Sequence, residues 1–322
     1  MSKIKIFFPA FILSGMMLFS CTKKANYPVS NESLHIIDSS NKSAGINFLV
    51  FGDWGRKGNT TQKSIANQMA LTAQKTNPDF ILVTGDNFYN TGVNSIEDSH
   101  WDESYKEVYN HPSLQVDWYL ALGNHDYQGN VQAQLAYTDL DERWNIPDRY
   151  YSIDKPIDAL HNVRFVVIDS SPFFDPYYES NNYSNVWDQD SLKQIRWIDE
   201  TLENSTTKWN IVISHHPAFT SGMRRNQVQF LQRHMKGLMD KHKVDAMFSG
   251  HEHDLQHQKP NGATHYFVSG SASDARDVSE LDYTKFAAGI PGFMSVTLYH
   301  NRMIVQAIDA GGTILYSTEI TK

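Results

Sequence analysis

Five short blocks carry the side chains of this chain best suited to hold metal ions: Gly52-Asp53-Trp54-Gly55, Gly85-Asp86-Asn87-Phe88-Tyr89, Gly123-Asn124-His125-Asp126, Val212-Ile213-Ser214-His215 and Gly250-His251-Glu252-His253. Asp53 and Asp86 offer carboxylates, Tyr89 a phenol, Asn124 an amide carbonyl, and His215, His251 and His253 imidazoles. Such a set of oxygen and nitrogen donors without thiolate argues against an iron–sulfur cluster or a Cys-based structural zinc site. It is also too large for one tetrahedral ion. Two ions of higher coordination sharing a carboxylate would use every donor and leave room for water. Paired metals about 3.5–4 Å apart clamp the attacking and leaving oxygens of an in-line displacement, which suits phosphoester hydrolysis.

These donors are far apart in sequence, so the fold must bring them together. Each block follows an apolar run, at 46–51, 80–83, 118–122, 210–213 and 245–248. Short apolar runs closed by Gly or polar residues read as buried strands, and open α/β sheets build their sites at the carboxyl ends of strands. Helical spacing lies between them, as in Leu192, Ile195, Ile198 and Leu202, with Ser191 and Gln194 forming an expected capping box. A second helical stretch spans 227–241. The segment 265–320 reads instead as consecutive strands with turns at His300-Asn301 and Gly311-Gly312. Length alone would allow two domains, but a boundary inside the span from Asp53 to His253 would cut the site. A single domain over 46–322 is therefore expected.

In order and content the five blocks resemble the calcineurin-type metallophosphoesterases, and within them the purple acid phosphatases of the small, tartrate-resistant type. Other branches usually open with Asp-x-His; here Asp53-Trp54-Gly55 lacks that His and Gly85-Asp86-x-x-Tyr89 supplies a Tyr instead. The resemblance covers roughly residue 46 to the C-terminus. It implies an α/β fold of four layers, an αββα sandwich of two packed mixed β-sheets flanked by helices. It also implies two metal ions per chain, Fe(III) plus a divalent ion (Fe, Zn or Mn). Asp53, Tyr89 and His253 would hold the ferric ion, Asn124, His215 and His251 the divalent one, and Asp86 would bridge them. The division agrees with ligand hardness, because anionic oxygen donors suit a trivalent ion and neutral imidazole and amide a divalent one. The expected activity is hydrolysis of phosphate monoesters, of the acid phosphatase type, by attack of a metal-bound hydroxide.

His125 adjoins the ligand Asn124 and is assigned to phosphate binding or to protonation of the leaving alkoxide. Asp126 would orient His125 or a neighbouring ligand. Of the adjacent His215 and His216, which point in different directions at a strand end, the family pattern favours His215 as ligand. Mammalian-type members carry a further His in the following loop, where Arg224 stands here, so His125 or His216 takes the leaving-group task. Asn87 and Arg224 are assigned to substrate, with Arg225 a second candidate for bidentate phosphate binding. His234 falls in the second helical stretch and His242 at its end, and both read as structural or solvated, as do His35, His100, His111, His161, His265 and His300. His257 could line the cleft, although the resemblance gives it no role. Tyr177, Tyr178, Tyr183 and Trp187 form an aromatic loop whose expected role is packing.

At the N-terminus, Lys3 and Lys5 precede an apolar stretch at 6–19 that ends in Leu18-Phe19-Ser20-Cys21. A basic start, a short apolar run and small residues before a cleavage point describe a secretory signal, and the Cys resembles that of a bacterial lipobox. The expectation is a lipoprotein signal peptide at 1–20 and a polar tether at 21–45. The protein would then be secreted across the inner membrane and anchored by lipid on Cys21 as a periplasmic or outer-membrane lipoprotein. An uncleaved signal anchor is the alternative, for which the stretch is short. Cys21 is the sole Cys, so no internal disulfide can form. With a net charge of −8 and no basic patch, the composition disfavours nucleic acid as a partner and fits small phosphoesters and a monomer. The alternatives are a phosphodiesterase or nucleotidase on the same scaffold and, from another class, a non-catalytic metal-holding surface protein.

Overall fold

The computed structural model describes residues 45–322. The expected signal peptide, Cys21 and nearly all of the tether lie outside the described residues. Among the described residues, fourteen strands form two seven-stranded sheets. The first sheet has the order β14 (Ile314–Thr321), β13 (Arg302–Asp309), β12 (Gly292–Leu298), β1 (Ile46–Phe51), β2 (Phe80–Val83), β3 (Asp117–Leu120), β4 (Trp144–Asn145). β1 to β4 run parallel, and β12 closes antiparallel on β1 with Ile46 opposite Leu298. The second has the order β11 (Thr284–Ala288), β9 (Leu255–Gln258), β10 (His265–Ser269), β8 (Ala246–Ser249), β7 (Trp209–Ile213), β6 (Asn162–Val167), β5 (Tyr151–Pro156). Its centre, β6, β7, β8 and β10, is parallel and its edges are antiparallel.

Both sheets are mixed for a physical reason legible in the chain. Parallel neighbours need a long crossover, and helices supply it, whereas the tight turns near His300 and Gly311 join antiparallel neighbours. β1 connects to β2 through helix α1 (Thr60–Thr76), which starts at Asn59, whose side chain accepts from the Gln62 N–H at 2.8 Å. The short helices α2 (Val131–Ala136) and α3 (Asp175–Tyr178) lie in the loops after β3 and β6. Helices α4 (Ser191–Glu203) and α5 (Val228–Lys241) cross from β6 to β7 and from β7 to β8. The α4 N-terminus differs from the capping box read from sequence: Asp190 is the cap and accepts from the Lys193 N–H at 2.8 Å. Gln194 is drawn inward instead, bonding the backbone N–H and carbonyl of Asp169 at 3.0 Å each.

The layers follow from where the apolar faces go. Ile198 and Leu202 of α4 and Leu231, Met235 and Met239 of α5 pack on Val166, Val212, Met247 and Tyr266 of the second sheet. Between the sheets, Phe48 of β1 meets Phe165 of β6 edge-on at 5.4 Å, and Phe80 of β2 meets the same ring at 5.4 Å. α1 lies against β1 and β12 on the other side of the first sheet. The result is the four-layer αββα sandwich expected. A separate aromatic cluster under the first sheet gathers Phe51, Trp54, Phe88, Tyr105, Tyr109, Trp118 and Trp144, all wholly buried. No helix among the described residues is long and apolar enough to cross a membrane.

Candidate metal centre

The seven candidate ligands all leave the sheets at carboxyl ends of parallel strands. Asp53 follows β1, Asp86 and Tyr89 follow β2, and Asn124 follows β3, so the first sheet provides the oxygen donors. His215 follows β7, and His251 and His253 follow β8, so the second sheet provides the nitrogen donors. The two sheets thus face each other across the site with complementary chemistry. Asp53, Asp86 and His251 have φ of 59°, 49° and 68°, a left-handed backbone that non-glycine residues seldom adopt and that clusters at functional sites. Glycines allow the close approach. A Cβ at Gly123 would come within 2.2 Å of Asp86 Oδ1, and one at Gly250 within 2.4 Å of Asp53 Oδ2.

One half of the site centres on the Tyr89 phenol. Its oxygen lies 2.9 Å from Asp53 Oδ1, 2.8 Å from Asp86 Oδ2 and 3.1 Å from His253 Nε2. A single phenolic proton can satisfy only one of these three. Burial, and then the Asp53 and Asp86 charges, push the Tyr89 pKa well above its usual value. In the other half, His215 Nε2 lies 3.1 Å from Asn124 Oδ1, 3.2 Å from His251 Nδ1 and 3.4 Å from Asp86 Oδ1. Asp86 therefore stands between the halves. Burial alone would raise its pKa, but His215, His125 and the His125 backbone N–H hold it below the usual carboxylate range.

The outward nitrogens decide what the inward ones can do. His215 Nδ1 donates to the Thr84 carbonyl at 2.9 Å, His251 Nε2 to Gln227 Oε1 at 3.0 Å, and His253 Nδ1 to Asp274 Oδ2 at 3.1 Å. In a neutral ring the other nitrogen then presents a lone pair, so His215 Nε2 and His251 Nδ1 point lone pairs at each other, and His215 Nε2 also faces Asn124 Oδ1. Burial holds His251 well below its ordinary pKa and therefore neutral. Buried lone pairs and carboxylates gathered this closely repel one another unless a cation lies among them, and the donor types are those of hard and borderline metals. The residues present fit a pair of metal ions.

The outer partners Asp274, Gln227 and Thr84 carry no sequence signal, since none stands in a motif. Asp274 is the most informative, being a carboxylate that fixes the tautomer of a candidate ligand. Asp274→Asn is expected to weaken metal binding by about 10–100-fold with the fold intact. Metal titration followed by mass spectrometry checks this, and unchanged affinity would show that His253 needs no such partner.

Around these ligands the structure sorts the remaining sequence assignments. His125 sits at the mouth, with 27% of its side chain exposed, its Nε2 3.9 Å from Asp86 Oδ2 and its ring 4.4 Å from that of Tyr89. Its Nδ1 is bonded to the Asn90 carbonyl. His216 is wholly buried with its ring 4.4 Å from that of His251, one of three imidazoles whose nitrogens lie within 4.8 Å of one another, but its Nδ1 is paired with Ser170 Oγ at 2.8 Å and its Nε2 with the Tyr177 hydroxyl at 2.8 Å. With both nitrogens engaged and burial keeping it neutral well below its usual pKa, it is not placed to deliver a proton. Tyr177 is accordingly a brace for His216, and it stacks on Tyr183 at 4.2 Å.

Asn87 is likewise not brought to the substrate side. Its amide is consumed by the Ala121 carbonyl and Gln134 Oε1 at 3.0 Å each and by the Trp54 Nε1–H at 3.2 Å. Arg224 braces the neighbouring loop, its Nη1 donating to the His251 carbonyl and its backbone N–H to Glu252 Oε1, both at 2.6 Å. Arg225 is exposed and lies 3.4 Å from Ser279 Oγ. Asp126 does not orient His125. It accepts the backbone N–H groups of Asn87 at 3.0 Å and Gly123 at 2.8 Å and the Gln134 amide at 2.8 Å, tying two ligand loops together. Sequence reasoning missed Arg56, whose guanidinium lies 3.8 Å over the Tyr89 ring and donates to Ser273 Oγ at 3.1 Å.

Asp169, just past β6, is buried and accepts from the Tyr127 hydroxyl, which in turn accepts from Arg149 Nη1 at 2.8 Å. Burial pushes its pKa up to about 7 from 3.8. Between those values the native chain holds a proton that the unfolded chain has lost, so this group's contribution to stability falls as pH rises through that window. Asp169→Asn should flatten the pH dependence of the urea midpoint from about pH 4 to 7, with about 4 kcal/mol as the ceiling for such a shift. An unchanged slope would mean that Asp169 is ionised throughout.

A calcineurin-like phosphoesterase model matches residues 46–255, and the chain belongs to that family. It is 31% identical to purple acid phosphatase 7 of Arabidopsis thaliana over 100% of this chain and 96% of that protein. It is 30% identical to tartrate-resistant acid phosphatase type 5 of Sus scrofa, covering 86% of this chain and 87% of the other. Metal-dependent phosphoester hydrolysis is the class of chemistry these relatives support. In fold it is similar to a solved structure described as GAP50, the anchor in the inner membrane complex of Plasmodium, with a TM-score of 0.75 and 21% identity over 86% of this chain and 89% of that one.

Proposed function

We propose that the protein is a binuclear metal-dependent phosphatase acting on phosphate monoesters. The observation that carries this reading is the convergence of buried lone pairs from both sheets, with every imidazole held by an outer partner in the tautomer that turns its free nitrogen inward. Bound there, two metal ions would supply the Lewis acidity and the acidified water that phosphoester hydrolysis requires. Asp53, Tyr89 and His253 would hold one ion, Asn124, His215 and His251 the other, and Asp86 both. The Arg56 guanidinium over Tyr89 favours the phenolate form. His125, partly open to solvent beside Asp86, is the side chain positioned to donate to the phosphate or to the departing oxygen.

The test is metal content by mass spectrometry, a visible spectrum and p-nitrophenyl phosphate turnover on one sample. Two ions per chain including iron, a phenolate–iron band and turnover are expected, and Tyr89→Phe should abolish the band. Turnover without the band would remove the ferric–tyrosinate assignment. One ion or none, with no activity after reconstitution, would overturn the reading.

A further inference from the structure

At the opposite end of the sandwich from the candidate centre, two turns from different sheets meet. One joins β5 to β6, at 157–161, and belongs to the second sheet; the other joins β12 to β13, at 299–301, and belongs to the first. Asp158 organises the first turn, its Oδ1 accepting the backbone N–H groups of Leu160 at 2.8 Å and His161 at 2.9 Å. The second turn is fixed from below by Trp209, whose Nε1–H donates to the Tyr299 carbonyl at 3.0 Å and the His300 carbonyl at 3.2 Å. Both turns are therefore anchored before their side chains meet.

The meeting side chains are Asp158, His161 and His300. His161 Nδ1 is 2.9 Å from Asp158 Oδ2, and His300 Nδ1 is 3.8 Å from the same oxygen. The two rings lie 5.1 Å apart, and one donor atom from each residue fits within 4.8 Å of the others. A tetrahedral zinc ion with bonds of about 2.0–2.1 Å keeps its ligands roughly 3.3 Å apart, and the observed separations bracket that value. An Asp-capped turn by itself accounts for His161. It does not account for His300, which the other sheet delivers to the same carboxylate.

We propose that Asp158, His161 and His300 form a zinc site, separate from the candidate metal centre, that staples the two sheets together. Two imidazoles and a carboxylate are ligands for a borderline divalent ion. With the Asp158, His161 and His300 side chains 22%, 35% and 48% exposed, water completes the fourth position. The ion links the two hairpins, and its effect is on stability, not on turnover.

The full chain, and its His161→Ala and His300→Ala variants, would be equilibrated with zinc and counted for bound metal, with thermal melting recorded with and without added zinc. The wild type should hold one zinc more than either variant, and zinc should raise its melting temperature more. Affinity for that extra ion should fall by more than about tenfold in each variant, the lower end of what losing even an outer partner of a ligand does, while p-nitrophenyl phosphate turnover stays at the wild-type level. Because the readout is a difference between chains with the same candidate metal centre, failure of the phosphatase reading would leave it intact. Equal zinc counts and equal zinc-dependent melting in all three proteins would overturn the proposal.

Discussion

Asp86→Asn is expected to lower kcat/KM on p-nitrophenyl phosphate by about 10³-fold or more, beyond the 10–100-fold that loss of an outer ligand partner costs, and to reduce bound metal from two ions towards one. Asp86 reaches into both halves, 2.8 Å from the Tyr89 oxygen and 3.4 Å from His215 Nε2, and it also receives the His125 backbone N–H at 2.8 Å. An amide in its place keeps the shape but loses the charge and turns N–H groups towards atoms that need an anion. The same change should leave the metal-free protein as stable as the wild type or more so, because it removes one of two buried carboxylates crowding a single phenol, a common exchange between function and stability. Metal counting, turnover and melting of the apo protein read the three effects separately. Wild-type metal content with turnover within tenfold of normal would sink the bridging assignment.

Trp54→Ala should destabilise the chain by about 3–5 kcal/mol, the range for removing a large buried aromatic. Trp54 is wholly buried, with Phe88 at 5.5 Å, Phe51 at 5.8 Å, Tyr109 edge-on at 5.4 Å and Trp118 at 6.0 Å. Its Nε1–H also donates to Asn87 Oδ1, so truncation leaves a buried carbonyl with one partner fewer as well as a cavity. The effect reaches the metal centre, because Trp54 and Asn87 stand next to Asp53 and Asp86 and hold the two loops in register. Urea unfolding measures the loss, and Trp54→Phe should recover most of the packing but not the hydrogen bond. A change below about 1 kcal/mol would mean that neighbouring rings close the cavity, as well-relaxing sites do.

The chain itself determined the strands and the donors. The apolar runs ending at Phe51, Val83 and Ile213 became β1, β2 and β7 with little shift, while β3 begins one residue and ends two residues before the third run, closing at Leu120. Donor identity was also local information: a carboxylate, phenol or imidazole placed just past a buried strand has the sheet's carboxyl end to point at. The antiparallel end from β12 to β14 was readable because tight turns need glycine and asparagine.

What the sequence left open was the direction of side chains that had more than one place to go. Asn87 lies in a ligand block and His216 just past one, both with the right chemistry, but burial gave the Asn87 amide and both His216 ring nitrogens hydrogen-bond partners of their own, and a buried polar group goes where its hydrogen bonds are satisfied. Gln194 left its expected cap for Asp169 for the same reason. Asp274, Gln227, Thr84 and Arg56 became partners of the ligands only through tertiary approach, as did the meeting of His161 with His300. The chain fixed which groups could do chemistry, because that depends on atoms and strand ends. The packing of two sheets decided which of them face one another, because that depends on where every other buried polar group finds its bond.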